Sequence, residues 1–414
     1  MSNQKLLVIG AGIGQVPIIE KAKQRGIHVT VVTMPGEQPG IRLADDVFYC
    51  DIYERDKIVE WAKEHGITAV TSDQNDLMNP TVAYVADKLG LPGNTFDQVM
   101  AYCNKNTYRD NCDLIGNPVP KHIAVNCADC DYGTFDFPLP WIVKPADSQS
   151  SVGVKKIDRA EDLKPALEFA LSKSKTHSAI VEEFFTGKEV VCEGFIENGE
   201  FYLLSFADRK YFDLQDLMIP SQTIFPSVIN QGLLEKVLEC ERKMARFVKP
   251  SFAIVHSEYL VNEETGEIRV VESALRGGGV YISSHLIPLA TGIDINNVLL
   301  DKALGKNTNV KEVLTRRHDA SAAYICFYLP EGIITEISGK EELAKLPFVK
   351  KICMDNIHVG QKTEPMLHKG LRKGPILVNG SDREDIENNI KLVQDTLKIK
   401  VENSDMIIRD IVWN

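Results

Sequence analysis

The 414-residue sequence has no apolar run long enough to span a membrane. Its opening, MSNQKLLVIGAG, has only a short apolar stretch and reads as a first strand, not a signal peptide. No GxxxxGK[ST] occurs, which excludes a P-loop. Basic charge is in the minority: 47 Lys and Arg stand against 58 Asp and Glu, a net charge of −11. A general nucleic-acid binder needs the opposite balance. Cys127 and Cys130 form a lone CxxC with no second pair to complete a structural zinc site. The nine cysteines are scattered and odd in number, which suits a reducing cytosol. Repeats and low-complexity linkers are absent. The dinucleotide fingerprint is incomplete. Gly10, Gly12 and Gly14 are present, but Gln15 stands where the third glycine belongs, and Thr33-Met34-Pro35 where an acidic residue belongs. This weakens a nicotinamide-dependent oxidoreductase and favours a tight strand-to-helix turn.

What is present begins with alternating strands and helices. Lys5 to Ile9, Val29 to Val32 and Ala69 to Thr71 read as strands. Helices run to about Arg25, from Asp56 to His65 and from Asn79 to Leu89. Residues 1–100 therefore read as a Rossmann-like parallel α/β domain. Ser72 to Asp76 follow a strand at its carboxyl end, where open α/β sheets place ligands. The pattern then changes. A helix holds Lys105 and Arg109, Trp141 to Pro145 is a short apolar strand, and Ala146 to Val154 is a small-residue loop. Strands follow at Ala179 to Phe185 and Glu189 to Ile196, and a helix at Leu233 to Phe247. From 316 an α+β segment closes the chain, with strands in Ala322 to Leu329 and Gly374 to Val378 and a helix from Arg383 to Leu397. At 44% hydrophobic and 25% charged residues, the whole is a soluble multidomain chain.

The chemistry concentrates in HSEYLVNEETGEIRVVESALRGGG, residues 256–279. Two alternating runs flank a turn, so a hairpin is expected. A three-residue loop with Gly266 at positive φ pairs Glu263 with Glu267 and places Glu258 opposite Glu272. A five-residue loop gives the same register. His256, Glu258, Leu260, Ile268, Val270, Glu272 and Ala274 then share a face. Opposed carboxylates repel unless a cation lies between them, and Mg²⁺ is commonly held by one or two carboxylates plus phosphate oxygens. Arg276, ahead of Gly277-Gly278-Gly279, adds a phosphate-binding fork beside a backbone that a ligand can approach. Alternatively the hairpin face is solvated and carries an Arg–Glu pair. Lys144, inside an apolar strand, needs a counter-charge. A phosphate group would supply it, aided by the amides of Ser150, Ser151, Val152 and Gly153; a protein carboxylate would also do so. Glu182, Glu183, Phe184 and Phe185 offer acceptors and aromatic faces suited to adenine, and Glu189 a site for ribose hydroxyls. His256 reads as a satisfied core histidine.

That order resembles the ATP-grasp superfamily along nearly the whole chain. Lys105 with Arg109 is similar to the family's first ATP-lysine segment. IVKPADSQSSVGV, with Lys144, is similar to its second lysine and lid loop. VEEFF and Glu189 are similar to the adenine hinge and ribose acceptor, Glu258 and Glu272 to the metal carboxylates, and Arg276 to the phosphate-facing arginine. The segment from Ala322 resembles the C-terminal domain of the L-amino-acid ligase branch. Ala274 departs from the pattern, standing where many members carry an asparagine metal ligand. The resemblance implies an ATP-grasp domain over 101–315 with a lid at about 120–190, between the Rossmann-like domain and an α+β domain at 316–414. It implies an ADP-forming carboxylate–amine ligase using ATP and Mg²⁺, with Mn²⁺ as a substitute. Partners would be a small-molecule acid and amine, with a homodimer one option left open; charge and apolar runs argue against nucleic acid and membrane, and the cysteines suit a cytoplasmic protein. Alternatives are biotin-carboxylase-like or formyl-transferring use of an acyl phosphate, or nucleotide binding without turnover.

Overall fold

The computed structural model describes residues 4–130, 133, 135–148, 152–214, 217–315, 317–367 and 369–413. The first sheet is parallel: β1 (Lys5–Ile9), β2 (His28–Thr33), β3 (Asp46–Tyr49) and β4 (Ala69–Thr71), in the order β3-β2-β1-β4. Its continuous apolar strands, such as KLLVI, are what a sheet covered on both faces requires. The helices α1 (Val16–Gln24), α2 (Arg55–Glu64) and α3 (Asn79–Leu89) pack around it. Gly90, in the left-handed region, ends α3.

A pair of short helices leads to the second sheet. Thr95 and Gln98 form a capping box that starts α4 (Phe96–Cys103). Asn104 then ends α4 and caps α5 (Lys105–Ile115) by accepting the Thr107 N–H. Lys105 is thus the first residue of a helix, where the dipole disfavours a cation. The second sheet holds β5 (His122–Val125), β6 (Trp141–Pro145), β7 (Lys155–Ile157) and β8 (Ala179–Glu183), in the order β5-β8-β6-β7. With α6 (Leu163–Lys173) it encloses its own small core around Trp141, Val143, Leu167 and Val181.

The largest sheet has eight strands in the order β13-β12-β9-β10-β11-β14-β18-β16. They are β9 (Lys188–Glu197), β10 (Glu200–Tyr211), β11 (Pro220–Phe225), β12 (Phe252–Asn262), β13 (Glu267–Ala274), β14 (Ser321–Phe327), β16 (Val349–Ile352) and β18 (Lys373–Gly380). The last three come from the C-terminal segment, so this sheet runs unbroken across position 316. One face packs on α4, α5 and α7 (Gln231–Val248), the other on the first sheet and the helix Ile295–Ala303. A fourth sheet, β17-β15-β19-β20, uses Gly332–Ser338 (β15), Lys362–Thr363 (β17), Lys398–Glu402 (β19) and Ile408–Asp410 (β20). Among the described residues, no helix is long and apolar enough to cross a membrane.

The hairpin differs from expectation in how its register arises. Asn262 pairs with Glu267, and Gly266, at φ +70°, lies in the four-residue loop between them. Left alone, that pairing would set Glu258 opposite Val271. A bulge between Tyr259 and Glu258 restores the expected Glu258–Glu272 pair. It also changes the faces. Ile268 and Val270 join Tyr259 and Val261 in the core, not the face of His256 and Glu258. β13 is an edge strand whose groups are nonetheless satisfied: the Val270 N–H donates to Pro118 O at 2.8 Å, and Arg109 Nη2 donates to Val271 O at 2.7 Å.

Candidate active site

Helix α5 links the second sheet to β13: Arg109 reaches Glu182 on β8 and Val271 O on β13, and Lys105 lies beside Glu272. Lys105, at the start of α5, donates to Ser148 O at 2.7 Å and lies 3.7 Å from Glu272 Oε2. That carboxylate is about one-third exposed and makes no hydrogen bond among the described residues. Glu258, directly across, is held by Arg209 Nη1 and by His256 Nε2 at 3.2 Å. Burial would raise its pKa, but Arg209 and His256 hold it well below the ordinary value. Both side chains offer only oxygen, the donor a hard cation takes. Among the described residues, no group of three or more His, Cys, Asp or Glu could hold a metal ion by itself. A cation between Glu258 and Glu272 would therefore complete its shell with phosphate oxygens.

Lys144 has a protein partner. Its ammonium lies 2.6 Å from Glu182 Oε2, and Arg109 Nε lies 2.7 Å from Glu182 Oε1. The three groups are buried together on α5, β6 and β8. Burial pushes the Glu182 carboxyl up, but Arg109 and Lys144 outweigh it and bring it down to about 2. Burial lowers the Lys144 ammonium below its ordinary value; Glu182 opposes the fall, and Arg109 and Lys105 add to it. Glu182 is thus a structural counter-ion, and its carboxylate is not free for adenine. β8 stops at Glu183, so Phe184 and Phe185 lie beyond the strand. Lys156 sits over the Phe184 ring at 4.7 Å and Arg269 over Phe185 at 4.8 Å. Glu183 is partly exposed, with Arg269 Nε 3.7 Å away. Ser150 and Ser151 lie outside the described residues. Val152 is exposed, and Gly153, at φ +79°, packs against Pro145.

Glu189 is buried, and its oxygens take Arg209 and the Tyr211 hydroxyl. A ribose hydroxyl would have to displace one of them. Burial raises its pKa; Arg209 opposes that, and Glu258, which shares the guanidinium, adds to the rise. Arg276 also differs from expectation. It faces neither open space nor Glu272 but forms a fork on Asp76, at 2.8 and 2.9 Å. The glycines after it serve carboxylates as well. Gly277 N–H donates to Asp73 Oδ1 at 2.7 Å, and a Cβ there would meet Ser283 Cβ at 2.2 Å. A Cβ on Gly278 would meet Glu193 Oε1 at 2.4 Å. His256 bridges Glu193 and Glu258 and is fully satisfied. Gln15, at the missing third glycine, accepts from the Gly12 N–H and donates to Asp73 O, closing the turn.

Sequence reasoning passed over Glu193, Arg209 and Lys369. Lys369 comes from the C-terminal segment and lies within the fields of Glu258, Arg372, Arg209 and Glu272; burial lowers its pKa. Two buried guanidinium donors, Arg109 Nη1 and Arg209 Nε, have no acceptor among the described residues.

Residues 137–284 match the family model of the ATP-grasp domain. Taken with the architecture, this makes the chain a protein of the ATP-grasp fold. The L-amino acid ligase from Bacillus licheniformis superimposes with a TM-score of 0.82 at 21% identity, covering 97% of this chain and 99% of that one. N5-carboxyaminoimidazole synthetase from Staphylococcus aureus, solved complexed with ADP, gives 0.72 at 15% identity, with 94% and 97% coverage. In sequence, the chain is 28% identical over 150 residues to the D-alanine–D-alanine ligase of Hydrogenovibrio crunogenus, which is 36% of this chain and 47% of the relative. The chain thus spans about half the length of that relative.

Proposed function

We propose that the protein is an ATP-dependent carboxylate–amine ligase. A small acid attacks the γ-phosphate of ATP, giving an acyl phosphate and ADP. An amine then displaces phosphate and forms the amide. The carrying observation is the cross-strand Glu258–Glu272 pair with Lys105 3.7 Å from Glu272. Phosphoryl transfer needs positioning and charge neutralisation, not a nucleophilic side chain. Arg109 and Arg209 each bind a candidate carboxylate, Glu182 and Glu258, and so add positive charge beside the cluster. Mg²⁺, held by Glu258, Glu272 and phosphate oxygens, would neutralise charge on the transferring group. Lys105 tethers the loop at Ser148, so loop closure and phosphate contact can be linked through one side chain.

Under this reading, residues 1–100 are the preceding domain, 101–315 the ATP-grasp domain and 316–414 the C-terminal domain. Lys144 tunes the phosphate site electrostatically while holding Glu182, and Glu183, Phe184 and Phe185 flank the adenine. The acid and amine are small molecules, and Cys50, Cys103, Cys112, Cys127, Cys192, Cys240, Cys326 and Cys353 are free thiols, in keeping with a reducing cytoplasm. A phosphate-release screen over acid–amine pairs tests the reading. Release should require ATP, Mg²⁺ and both co-substrates; ATP hydrolysis indifferent to any acid would overturn it.

A further inference from the structure

A cavity of about 330 Å³ lies against β13 at Val271–Ala274, and of the nucleotide residues named above only Lys105 and Glu272 line it. Helix spacing builds one wall: Phe96, Met100 and Cys103 recur every three to four residues along α4. Pro80 and Tyr108 complete an apolar, aromatic lining. The charged groups around it are balanced, with Asp76, Asp147 and Glu272 against Arg55, Lys105 and Lys175. Asp76 already answers Arg276. Asp147 uses Oδ2 to accept the Thr176 N–H at 2.8 Å, while its Oδ1 is shielded and has no donor among the described residues. In the lining, Arg55 lies 4.9 Å from the Phe96 ring and Lys175 3.4 Å from the Tyr53 ring.

These features select a ligand. The volume is near the lower end of small-molecule sites, about 300–1,000 Å³, and suits one amino acid rather than a nucleotide. Balanced charge favours a zwitterion over a net anion or cation. The apolar lining favours a bulky apolar side group, whose burial removes it from water. Lys105 and Glu272, 3.7 Å apart in the lining, mark where an acid would present its carboxylate for phosphorylation. Resting on the ligase reading, we propose that this cavity holds the acid substrate, an α-amino acid with a large apolar or aromatic side chain. Its carboxylate faces Lys105, its ammonium lies beside the Asp147 carboxylate, and its side group lies against Phe96, Met100 and Tyr108.

Two variants test this. Met100→Trp fills the cavity, and Asp147→Asn weakens the ammonium site. L-Phenylalanine, glycine and 3-phenylpropanoate serve as probes, with the nucleotide-induced melting shift as a folding control. Parent kcat/KM should favour L-phenylalanine over glycine, and Met100→Trp should cut that ratio at least about tenfold. Asp147→Asn should remove most of the preference for L-phenylalanine over 3-phenylpropanoate. Turnover of these acids with both ratios unchanged in the variants overturns the cavity assignment while leaving the ligase reading intact. Calorimetric binding of L-phenylalanine that Met100→Trp abolishes, with no ADP formed from any acid, supports the cavity and removes the ligase. No binding of L-phenylalanine to the nucleotide-loaded parent overturns the cavity assignment directly.

Discussion

Replacing Glu182 by Gln keeps the side chain's size and removes the charge that two buried cations share. In the folded protein Glu182 sits at about 2, against an ordinary 4.5. At about 1.36 kcal/mol per pKa unit, that difference is about 3 kcal/mol. The folded-state value is depressed, so this stability is fully present above about pH 4.5 and disappears as pH falls toward 2. About 2 of the 3 kcal/mol is gone by pH 3. The variant lacks the contribution at every pH and leaves Arg109 and Lys144 unanswered. Breaking a buried pair typically costs about 3–5 kcal/mol. Glu182→Gln should therefore lower the melting temperature at pH 7 on the order of 10 °C. Trp141, buried on the same strand as Lys144, reports this transition by fluorescence. The gap between parent and variant should shrink by more than half on titrating from pH 7 to pH 3. A gap below about 1 kcal/mol at pH 7, the range of an exposed pair, would refute the reasoning. So would a gap that stays constant with pH.

Lys144→Met leaves Glu182 its Arg109 partner at 2.7 Å, so it should destabilise less than Glu182→Gln while weakening ATP binding at least about tenfold. Unchanged ATP affinity by calorimetry would remove Lys144 from the phosphate site. Arg276→Lys loses the planar fork on Asp76; the melting temperature should fall by a few degrees while kcat stays within a few-fold, and a roughly hundredfold loss of kcat would return Arg276 to the phosphate site. Glu272→Gln removes a carboxylate with no hydrogen bond among the described residues, so stability should move by no more than about 0.5 kcal/mol. Turnover should collapse, and the double variant with Glu258→Gln should lose little more than either single one. Fully additive losses would argue against a shared ion.

The sequence was most legible where side-chain period alone decides. Strands β1, β4 and β6 and helix α3 fall where their apolar patterns and glycines place them. The Glu258–Glu272 pair was also reached, but through a wrong loop length. The four-residue turn and the bulge at Val271 offset one another, and no local residue signals the bulge. Partners were the least legible part. Lys144 was visible as a buried cation, yet its anion depended on β6 pairing with β8, which only the assembled sheet decides. Arg276 finds Asp76 at a separation of 200 residues. Arg209 lies in a strand whose alternation resembles any other, and Lys369 arrives because the C-terminal segment joins the main sheet. The glycines read as clearance for a ligand instead clear Asp73 and Glu193.

Phosphorylation of an acid at the Glu258–Glu272–Lys105 cluster would pass through an acyl phosphate. Hydroxylamine trapping tests it most directly, because an acyl phosphate reacts with hydroxylamine to give a hydroxamate. With ATP, Mg²⁺, an acid substrate from the release screen and no amine co-substrate, the protein should form hydroxamate and ADP in equal amounts, and Glu272→Gln should form neither. ADP without hydroxamate, or hydroxamate formation undiminished in Glu272→Gln, would contradict the account.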